Sequence, residues 1–550
     1  MQFKECQTEQ KLRGGYYTPL DIAQFVSKWV LNRNTAKKVL EPSCGDGAFL
    51  EALGKVSRKK VEVAAFELEP EEAKKARACL GTHKNVRASV RNEDFLEWFC
   101  SEKTIQGTFD GVVGNPPFIR YQYLSLKAQS LAEKIFDSHE LPFTKHTNAW
   151  VPFVVASISL LKPGGRLGMV IPSEILHVMH AQSLRDFIKD TCSRVVIFDP
   201  EDIWFENTLQ GAVILFAEKK ADASDKHCGV GIVRTYGREF LANNPEALVD
   251  NTLLVNGGAT TGKWTKALLT PKELSLLQAL SKNPKVNTFT NVAKVDVGVV
   301  TGANNFFLVP EAVVDQYALK KWAHPMFGRS AHCPGIIYSQ EQHAENAKQG
   351  LPTNFIWFNI SDKSALDKNA RRYVEMGEHQ HLHTRYKCRV RNPWFRVPSV
   401  YASRIGMLKR ANTMPRLILN QLEAYTTDTA YRITPLKIDE EQLVYNFINS
   451  LTALSAELEG RSYGGGVLEL VPSEIEKLLI PIAKAAKMDL SALNQDIQTK
   501  STGEVLQKQD VSVLAAIGAT KAERETLFNA WQRLSKRRQR QNDPLSQSQE

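Results

Sequence analysis

The residues most able to do chemistry in this chain are Gly114-Asn115-Pro116-Pro117-Phe118, which close an apolar run at 109–113. An Asn side-chain carbonyl and the backbone carbonyl of the proline after it can both accept hydrogen bonds from one exocyclic amino group. Proline fixes φ and carries no N–H, so two acceptors built this way stay aimed. Phe118 adds a flat apolar face on which a heterocycle can stack. The competing reading is a strand-ending turn, where Asn-Pro is common. The chemistry on offer is the clamping of the amino group of a planar base.

Three other segments complement that clamp. In Leu40-Glu41-Pro42-Ser43-Cys44-Gly45-Asp46-Gly47-Ala48-Phe49-Leu50, Gly45 and Gly47 permit a tight turn and close approach to a ligand. A dinucleotide fingerprint requires Gly or Ala three residues after the second glycine, where Leu50 stands. The loop therefore suits a nucleoside with an amino-acid tail, whose cationic amine Glu41 can meet. Glu67, at the end of the run 61–66, is positioned to bond a ribose diol, while Glu69 opens the next helix. Beyond the run 86–90, Asp94 can accept from an adenine amino group as Phe95 packs on the ring.

The elements that must hold these residues are short buried strands. Seven runs read as such, at 38–40, 61–66, 86–90, 109–113, 166–171, 194–198 and 212–217. Helical patterns at 71–80 and 150–161 separate them. This alternation predicts an α/β fold with a doubly wound, mainly parallel sheet. Ligands of such sheets bind beyond the carboxyl ends of the strands, where the residues above stand.

With 550 residues the chain has room for two or three domains. A hydrophobic content of 43% and a charged content of 24% are those of an ordinary globular protein. No apolar run is long enough to span a membrane, so no membrane association is expected. The amino terminus lacks the apolar stretch of a signal peptide, and eight scattered cysteines suit a reducing cytoplasm. The net charge of +10 permits a polyanionic partner.

In the order of these motifs the sequence resembles the amino-group DNA methyltransferases that use S-adenosylmethionine. It looks most like the gamma group of N6-adenine enzymes, the TaqI type. Gly15-Tyr16-Tyr17-Thr18-Pro19 resembles the amino-terminal motif that closes over the methionine end of the cofactor, so Tyr17, Thr18 and Pro19 join Glu41, Cys44, Gly45, Gly47, Glu67, Asp94 and Phe95 as expected cofactor residues. Asn115 to Phe118 resembles the catalytic tetrapeptide, with Phe where the family has Tyr. Phe205 matches the aromatic that holds the target base opposite Phe118, with Trp204 as the alternative.

The resemblance implies a Rossmann-like seven-stranded methyltransferase domain at 1–236, a mixed α/β target-recognition domain at 237–485, and a helical basic extension at 486–550. It implies site-specific methylation of a flipped adenine in double-stranded DNA, in the cytoplasm. A cognate restriction endonuclease or other defence-system proteins would be its partners. N4-cytosine methylation, and RNA or protein amide methylation, are the alternatives.

Beyond about residue 237 the α/β rhythm fades. Val297 to Phe307 reads as strand, turn, strand. From His383 to Arg416 there are nine Lys or Arg and no Asp or Glu, with Tyr386, Trp394, Phe395 and Tyr401 interleaved. That composition suits a phosphate-contacting surface, with Arg389, Arg391 and Arg396 as DNA contacts; a like-charge block can also be only a solvated face. Arg461, in the glycine-rich loop 460–466, is a further DNA candidate, and that loop suits a phosphate or a plain turn equally. Asn420, Gln421, Thr426, Thr427 and Thr429 could read base edges or serve as strand polar residues. His379, His381 and His383 alternate as if on one strand face, but no acidic or Cys ligand joins them and no metal is expected. The stretch 511–541 reads as a helix with a basic end, suited to DNA or to a partner protein.

Overall fold

The computed structural model describes residues 17–32, 37–79, 84–101, 107–200, 211–463, 466–482 and 488–539. The chain forms two compact units, divided between Leu268 and Leu269.

The first unit is built on one sheet. Its strands are β1 (Lys38–Glu41), β2 (Val61–Phe66), β3 (Val86–Arg91), β4 (Phe109–Gly114), β5 (Leu161–Pro172), β6 (Cys192–Pro200), β7 (Ala212–Lys219) and β8 (Gly229–Thr235). They lie in the order β3-β2-β1-β4-β5-β7-β6-β8. β7 runs antiparallel to both of its neighbours, and every other neighbouring pair is parallel. The seven expected strands are present, and the sheet has eight. The last, Gly229-Val230-Gly231-Ile232-Val233, holds two glycines among few apolar residues, which diluted its strand signal.

The helices are α1 (Leu20–Leu31), α2 (Ala48–Val56), α3 (Pro70–Cys79), α4 (Phe95–Ser101), α5 (Leu126–Ser138), α6 (Trp150–Leu160) and α7 (Gln182–Thr191). Their apolar faces cover both sides of the sheet. One layer gathers Phe136, Trp150, Val154 and Leu176, and the other gathers Phe25, Trp29, Phe49 and Phe198. Because β1 to β4 are parallel, residues 42–47, 67–69, 92–95 and 115–118 all emerge at one edge of the sheet.

The expected boundary at 236 moves to 268. Leu241 and Val249 are buried in the layer that holds α1, and Trp264, fully enclosed, donates its backbone N–H to Leu176 O at 2.9 Å. Glu246 accepts from Arg166 Nη1 at 2.6 Å, while that guanidinium stacks over Trp29 at 3.9 Å. These long-range contacts leave no periodic mark in the sequence.

In the second unit the largest sheet orders strands Ala293–Val297, Ala430–Pro435, Ile405–Leu408, Leu417–Asn420 and Ile337–Tyr338. A four-stranded sheet and many helices make it mixed α/β. The segment read as a second strand after Thr301 is instead a short helix, Asn304–Phe307, whose two phenylalanines enter an aromatic core with Tyr373 and Trp394. The three histidines lie at the end of helix Lys368–His379 and in the turn after it, and not on a strand. Nor do helices Leu490–Thr499, Thr502–Ser512 and Lys521–Gln539 form a separate extension. Asp510 accepts from Ser450 Oγ at 2.6 Å, and the buried Arg538 donates to Glu457 at 2.9 Å, so charges that read as a basic tail are partly spent inside the unit. Among the described residues no helix is long and apolar enough to cross a membrane.

Helix α1 comes close to the sheet at Gly111 in β4. A Cβ there would stand 2.2 Å from Val30 Cγ1 of α1. Gly111→Ala is expected to destabilise the protein by about 1–3 kcal/mol through overpacking, lowering the first thermal transition, and Val30→Ala in the same chain should recover part of the loss. An unchanged transition would show that α1 does not bear on the sheet at this point.

Candidate functional site

At the carboxyl edge of β1 to β4 lies a cavity of about 900 Å³. Its lining draws on every segment that emerges there, together with Tyr17 and Thr18. The glycine loop is fixed from behind. Cys44 N–H donates to Phe66 O at 2.8 Å, and Gly45 N–H donates to Glu67 Oε2 at 2.8 Å. The other Glu67 oxygen accepts from Glu69 N–H at 2.8 Å. Asn92 Nδ2 then holds the same turn, donating to the carbonyls of Glu67 and Leu68 at 2.9 Å.

Gly47 has φ +100°, and a Cβ on it would come within 3.0 Å of Ala76 Cα in α3. Its smallness serves helix packing as well as the turn. Gly45, at φ +52°, has the Tyr17 ring 3.9 Å from its missing Cβ.

The cavity has two chemical halves. Phe95, Leu96, Leu68, Ile119, Leu124, Pro152 and Phe153 supply apolar surface. Asp46, Glu67, Glu69, Glu71, Glu72, Glu93 and Asp94 supply seven carboxylates, against the single lysine Lys75 among the described residues of the lining. Burial and the nearby Glu72 raise the Asp46 pKa, and burial raises that of Glu67 against its backbone hydrogen bonds. Tyr17 is raised by burial and by its hydrogen bond to Glu72, which also pairs with Lys75 at 2.8 Å. Burial drives the Cys44 thiol far up, so it is inert packing beside the loop.

Behind the loop, Glu41 is fully buried, and neither carboxylate oxygen has a hydrogen-bond partner among the described residues. Burial, then the neighbouring Glu67 and Asp46, lift its pKa well above the ordinary value. A cavity with one apolar half and one acid-rich half, backed by a buried acid, fits a ligand carrying positive charge, a diol and a flat ring.

Asn115 and Pro117 stand in the cavity wall. Asn115 Nδ2 donates to Thr18 Oγ1 at 3.1 Å, and Ser43 Oγ donates to Asn115 O at 3.0 Å. Phe118 is half-buried against both apolar layers. Asp94 Oδ1 caps α4, accepting from Leu96 N–H at 2.8 Å, while Phe95 packs 5.5 Å from Phe66 and 5.4 Å from Phe153. Tyr17, Thr18, Cys44, Gly45, Glu67, Asp94, Phe95 and Asn115 are thus brought together. Pro19 caps α1 beside them. Phe205 and Trp204 lie outside the described residues.

Sequence reading missed Leu68, Ile119, Leu124, Pro152 and Phe153, which are ordinary apolar residues until folding aligns them. Asn92 was missed as well, and its place directly after a strand end was the available signal.

In the second unit the four arginines proposed as DNA contacts divide. Arg391 is occupied, its Nη1 and Nη2 donating to Thr301 O and Val300 O at 2.7 Å. Arg461 Nε pairs at 2.7 Å with Glu474, a buried carboxylate. Arg389 is exposed beside the Tyr386 ring, and Arg396 is exposed with Nη1 on Ser361 Oγ at 3.0 Å. Arg385 and Lys387 are exposed with them, and among the described residues no carboxylate meets any of these four. Arg404, Lys409 and Arg410 instead pair with Glu440 and Glu469.

Of the interleaved aromatics, Trp394 and Phe395 belong to the core, while Tyr386 and Tyr401 are exposed. Asn420 is fully buried and bonded to Ser403 O and Ala424 O at 2.8 Å, and Thr429 Oγ1 donates to Gly328 O at 2.6 Å. With Thr426 and Thr427 also buried, these side chains serve the fold. Residues 464–465 lie outside the described residues, and Gly466 O accepts from Arg538.

Glu41 gives the site a pH signature. A folded-state pKa above the unfolded one means that its contribution to stability is full below the unfolded value near 4.5 and is lost as pH rises through the folded value. Glu41→Gln keeps the shape and removes the titration. Measured without ligand, the advantage of the variant in thermal midpoint is expected to widen from about pH 5 to about pH 8. A difference independent of pH would mean that Glu41 is ionised throughout.

The N-6 DNA Methylase family model matches residues 3–236. The model of the Type II methyltransferase M.Eco57I C-terminal domain matches residues 261–514. Type II methyltransferase M.AccI from Acinetobacter calcoaceticus is 21% identical over 474 residues, 84% of each chain. M.XamI from Xanthomonas campestris pv. amaranthicola is 21% identical over 491 residues, 85% of each chain. M.BanIII from Aneurinibacillus aneurinilyticus is 28% identical over 242 residues, 40% of each chain.

Proposed function

Because this chain belongs to the N6-adenine DNA methyltransferases, we propose that Asn115, Pro116 and Phe118 clamp a flipped adenine at the wall of the cofactor cavity. The enzyme methylates adenine N6 in DNA as the modification activity of a restriction-modification system, with S-adenosylmethionine as methyl donor. The observation that carries our assignment of residues is the convergence of four parallel strand ends on one acid-lined cavity with Asn115 in its wall. The glycine loop ahead of the tetrapeptide, and a second unit after it, support the gamma group.

Bound S-adenosylmethionine supplies a methyl group already activated on a cationic sulfonium. Phe95, Phe153 and Leu68 would enclose its purine, Glu67 would take the ribose diol, and Glu41, buried behind the loop, would offset the positive charge. Glu67 can do this while bracing the loop, since each carboxylate oxygen has a second lone pair. Adenine N6 is a weak nucleophile because its lone pair is delocalised into the ring. Asn115 Oδ1 and Pro116 O accept its two hydrogens and draw them into fixed directions, which frees the lone pair toward the methyl group. Phe118 replaces stacking lost when the base leaves the duplex. Position and electrostatics carry the reaction, and the extra proton leaves N6 after transfer without a dedicated base.

Recognition belongs to the second unit. The exposed Arg385, Lys387, Arg389 and Arg396 form its phosphate-contacting face. We assign the chain to the cytoplasm, alongside an endonuclease that cuts the same sequence.

Asn115→Ala should lower methyl transfer by about a hundredfold or more, as loss of a main transition-state contact does, with cofactor affinity held within a few-fold. Labelled methyl transfer and calorimetry measure the two, and near-normal turnover would end the assignment. Sequencing that reads modified adenine in cells with and without the gene supplies the target sequence. On duplexes bearing it, Arg389→Ala with Arg396→Ala should reduce the slope of log affinity against log salt by about 1.8, at roughly 0.9 per phosphate. An unchanged slope would remove this face from the interface.

A further inference from the structure

In the second unit the turn 300–304 and the basic segment 385–391 are locked side by side. Arg391 donates through Nη2 to Val300 O and through Nη1 to Thr301 O, both at 2.7 Å. Thr301 O also receives the buried Cys388 thiol at 3.9 Å. A Cβ on Gly302 would stand 2.6 Å from Lys387 Cβ, so the two segments touch without a gap. The turn is closed from within as well, since Thr301 Oγ1 donates to Asn304 Oδ1 and accepts from Ala303 N–H at 3.2 Å. Asp428, beside it, is met by Asn304 Nδ2 at 3.3 Å.

This lock presents apolar and cationic groups together. Val300 is 36% exposed, Val390 66% and Tyr386 65%. Lys387 Nζ and the Arg389 guanidinium lie 5.6 and 5.5 Å from the centre of the Tyr386 ring, and Arg385 is exposed in the same segment. Single exposed apolar side chains need no explanation. Two valines held on a fixed frame, beside cations that meet no carboxylate among the described residues, point to a polyanion that also offers apolar contact. On its base edges a DNA duplex offers one apolar group, the C5 methyl of thymine in the major groove.

We propose that Val300 and Val390 form a base-reading surface that contacts thymine C5 methyls in the target site, with Arg391 holding the two segments in register. This contact rests on the reading of the surrounding face as phosphate-contacting, and it adds what that face reads. Valine is short and has a single, stiff side-chain torsion, so its reach is set by the backbone that carries it. That gives a reason for an arginine of a basic block to turn inward. Its guanidinium is spent on two carbonyls, and the position of Val300 relative to Val390 is fixed in return.

The test uses the full chain and duplexes carrying its own target sequence, with each thymine replaced in turn by uracil. Uracil pairs as thymine does and lacks only the methyl. At one or more positions the replacement should weaken binding by about three- to fivefold, the worth of one buried methyl. That penalty should disappear when Val300→Ala and Val390→Ala are combined. Arg391→Gln should also erase it, while leaving the slope of log affinity against log salt unchanged, because the guanidinium meets carbonyls and not phosphates.

A site with no uracil penalty at any position would overturn the proposal, as would a penalty that persists in the paired valine variant. Retention of the full penalty in Arg391→Gln, or a slope lowered by about 0.9 as for a lost phosphate contact, would overturn the part given to Arg391. If Arg391→Gln does not fold, the valine changes, both at exposed side chains, carry the test. Failure of the underlying reading is separate and visible, since it appears as an unchanged salt slope when Arg389→Ala and Arg396→Ala are combined.

Discussion

Both oxygens of Glu67 are taken by backbone N–H groups at 2.8 Å, one from Gly45 and one from Glu69. This carboxylate ties the end of β2 to the loop after β1, and the rest of the site hangs on that tie. The fixed loop carries Ser43, which holds the backbone of Asn115. Asn115 in turn bonds Thr18 at the head of α1. Four segments distant in sequence are joined in series by three hydrogen bonds, all at one edge of the sheet. A strand-end acid is commonly read only as a ligand for a diol. Here it first makes the loop that the ligand needs, at the cost of holding a charge in a half-buried place.

The molecule separates its charges by task. The formal net charge is +10, yet the cavity lining carries seven carboxylates and one lysine among the described residues. A polyanion would be repelled from such a lining, whereas a cationic nucleoside would be drawn to it. In the second unit, Arg385, Lys387, Arg389 and Arg396 face solvent with no carboxylate partner among the described residues, while Arg404, Lys409 and Arg410 of the same run are neutralised by Glu440 and Glu469. A count of basic residues therefore overstates the surface available to phosphate. Arg391 and Arg461 make the same point from inside the fold, holding loop carbonyls and a buried glutamate.

Much of the first unit was legible from sequence because its signals are local. A parallel strand is a short apolar run, and the residue following it is delivered to the ligand edge whatever the helices between do. Glu67, Asp94 and Asn115 could each be named by counting from the end of a run, and all three meet at one cavity. What depended on distant partners was not legible. The eighth strand, interrupted by Gly229 and Gly231, is held by pairing with β6, and residues 237–268 join the first unit through Leu241, Val249 and Trp264. Neither leaves a periodic mark.

Residue types and their order along the chain determined the chemistry, because an Asn, two prolines and an aromatic have the same acceptors and the same ring in any fold that lets them face a base. Only the tertiary structure decided which copies of a residue type are free to act. Thr18 could be read as a cofactor residue, but its bond to an amide 97 residues away exists only once α1 is seated on the sheet. Asn420 and Arg391 look as able to touch DNA as Arg389 does, yet burial and carbonyl partners consume their hydrogen-bonding capacity. The physical reason is that a polar side chain has a fixed number of donors and acceptors. Folding satisfies those it buries, and only the remainder is left for function.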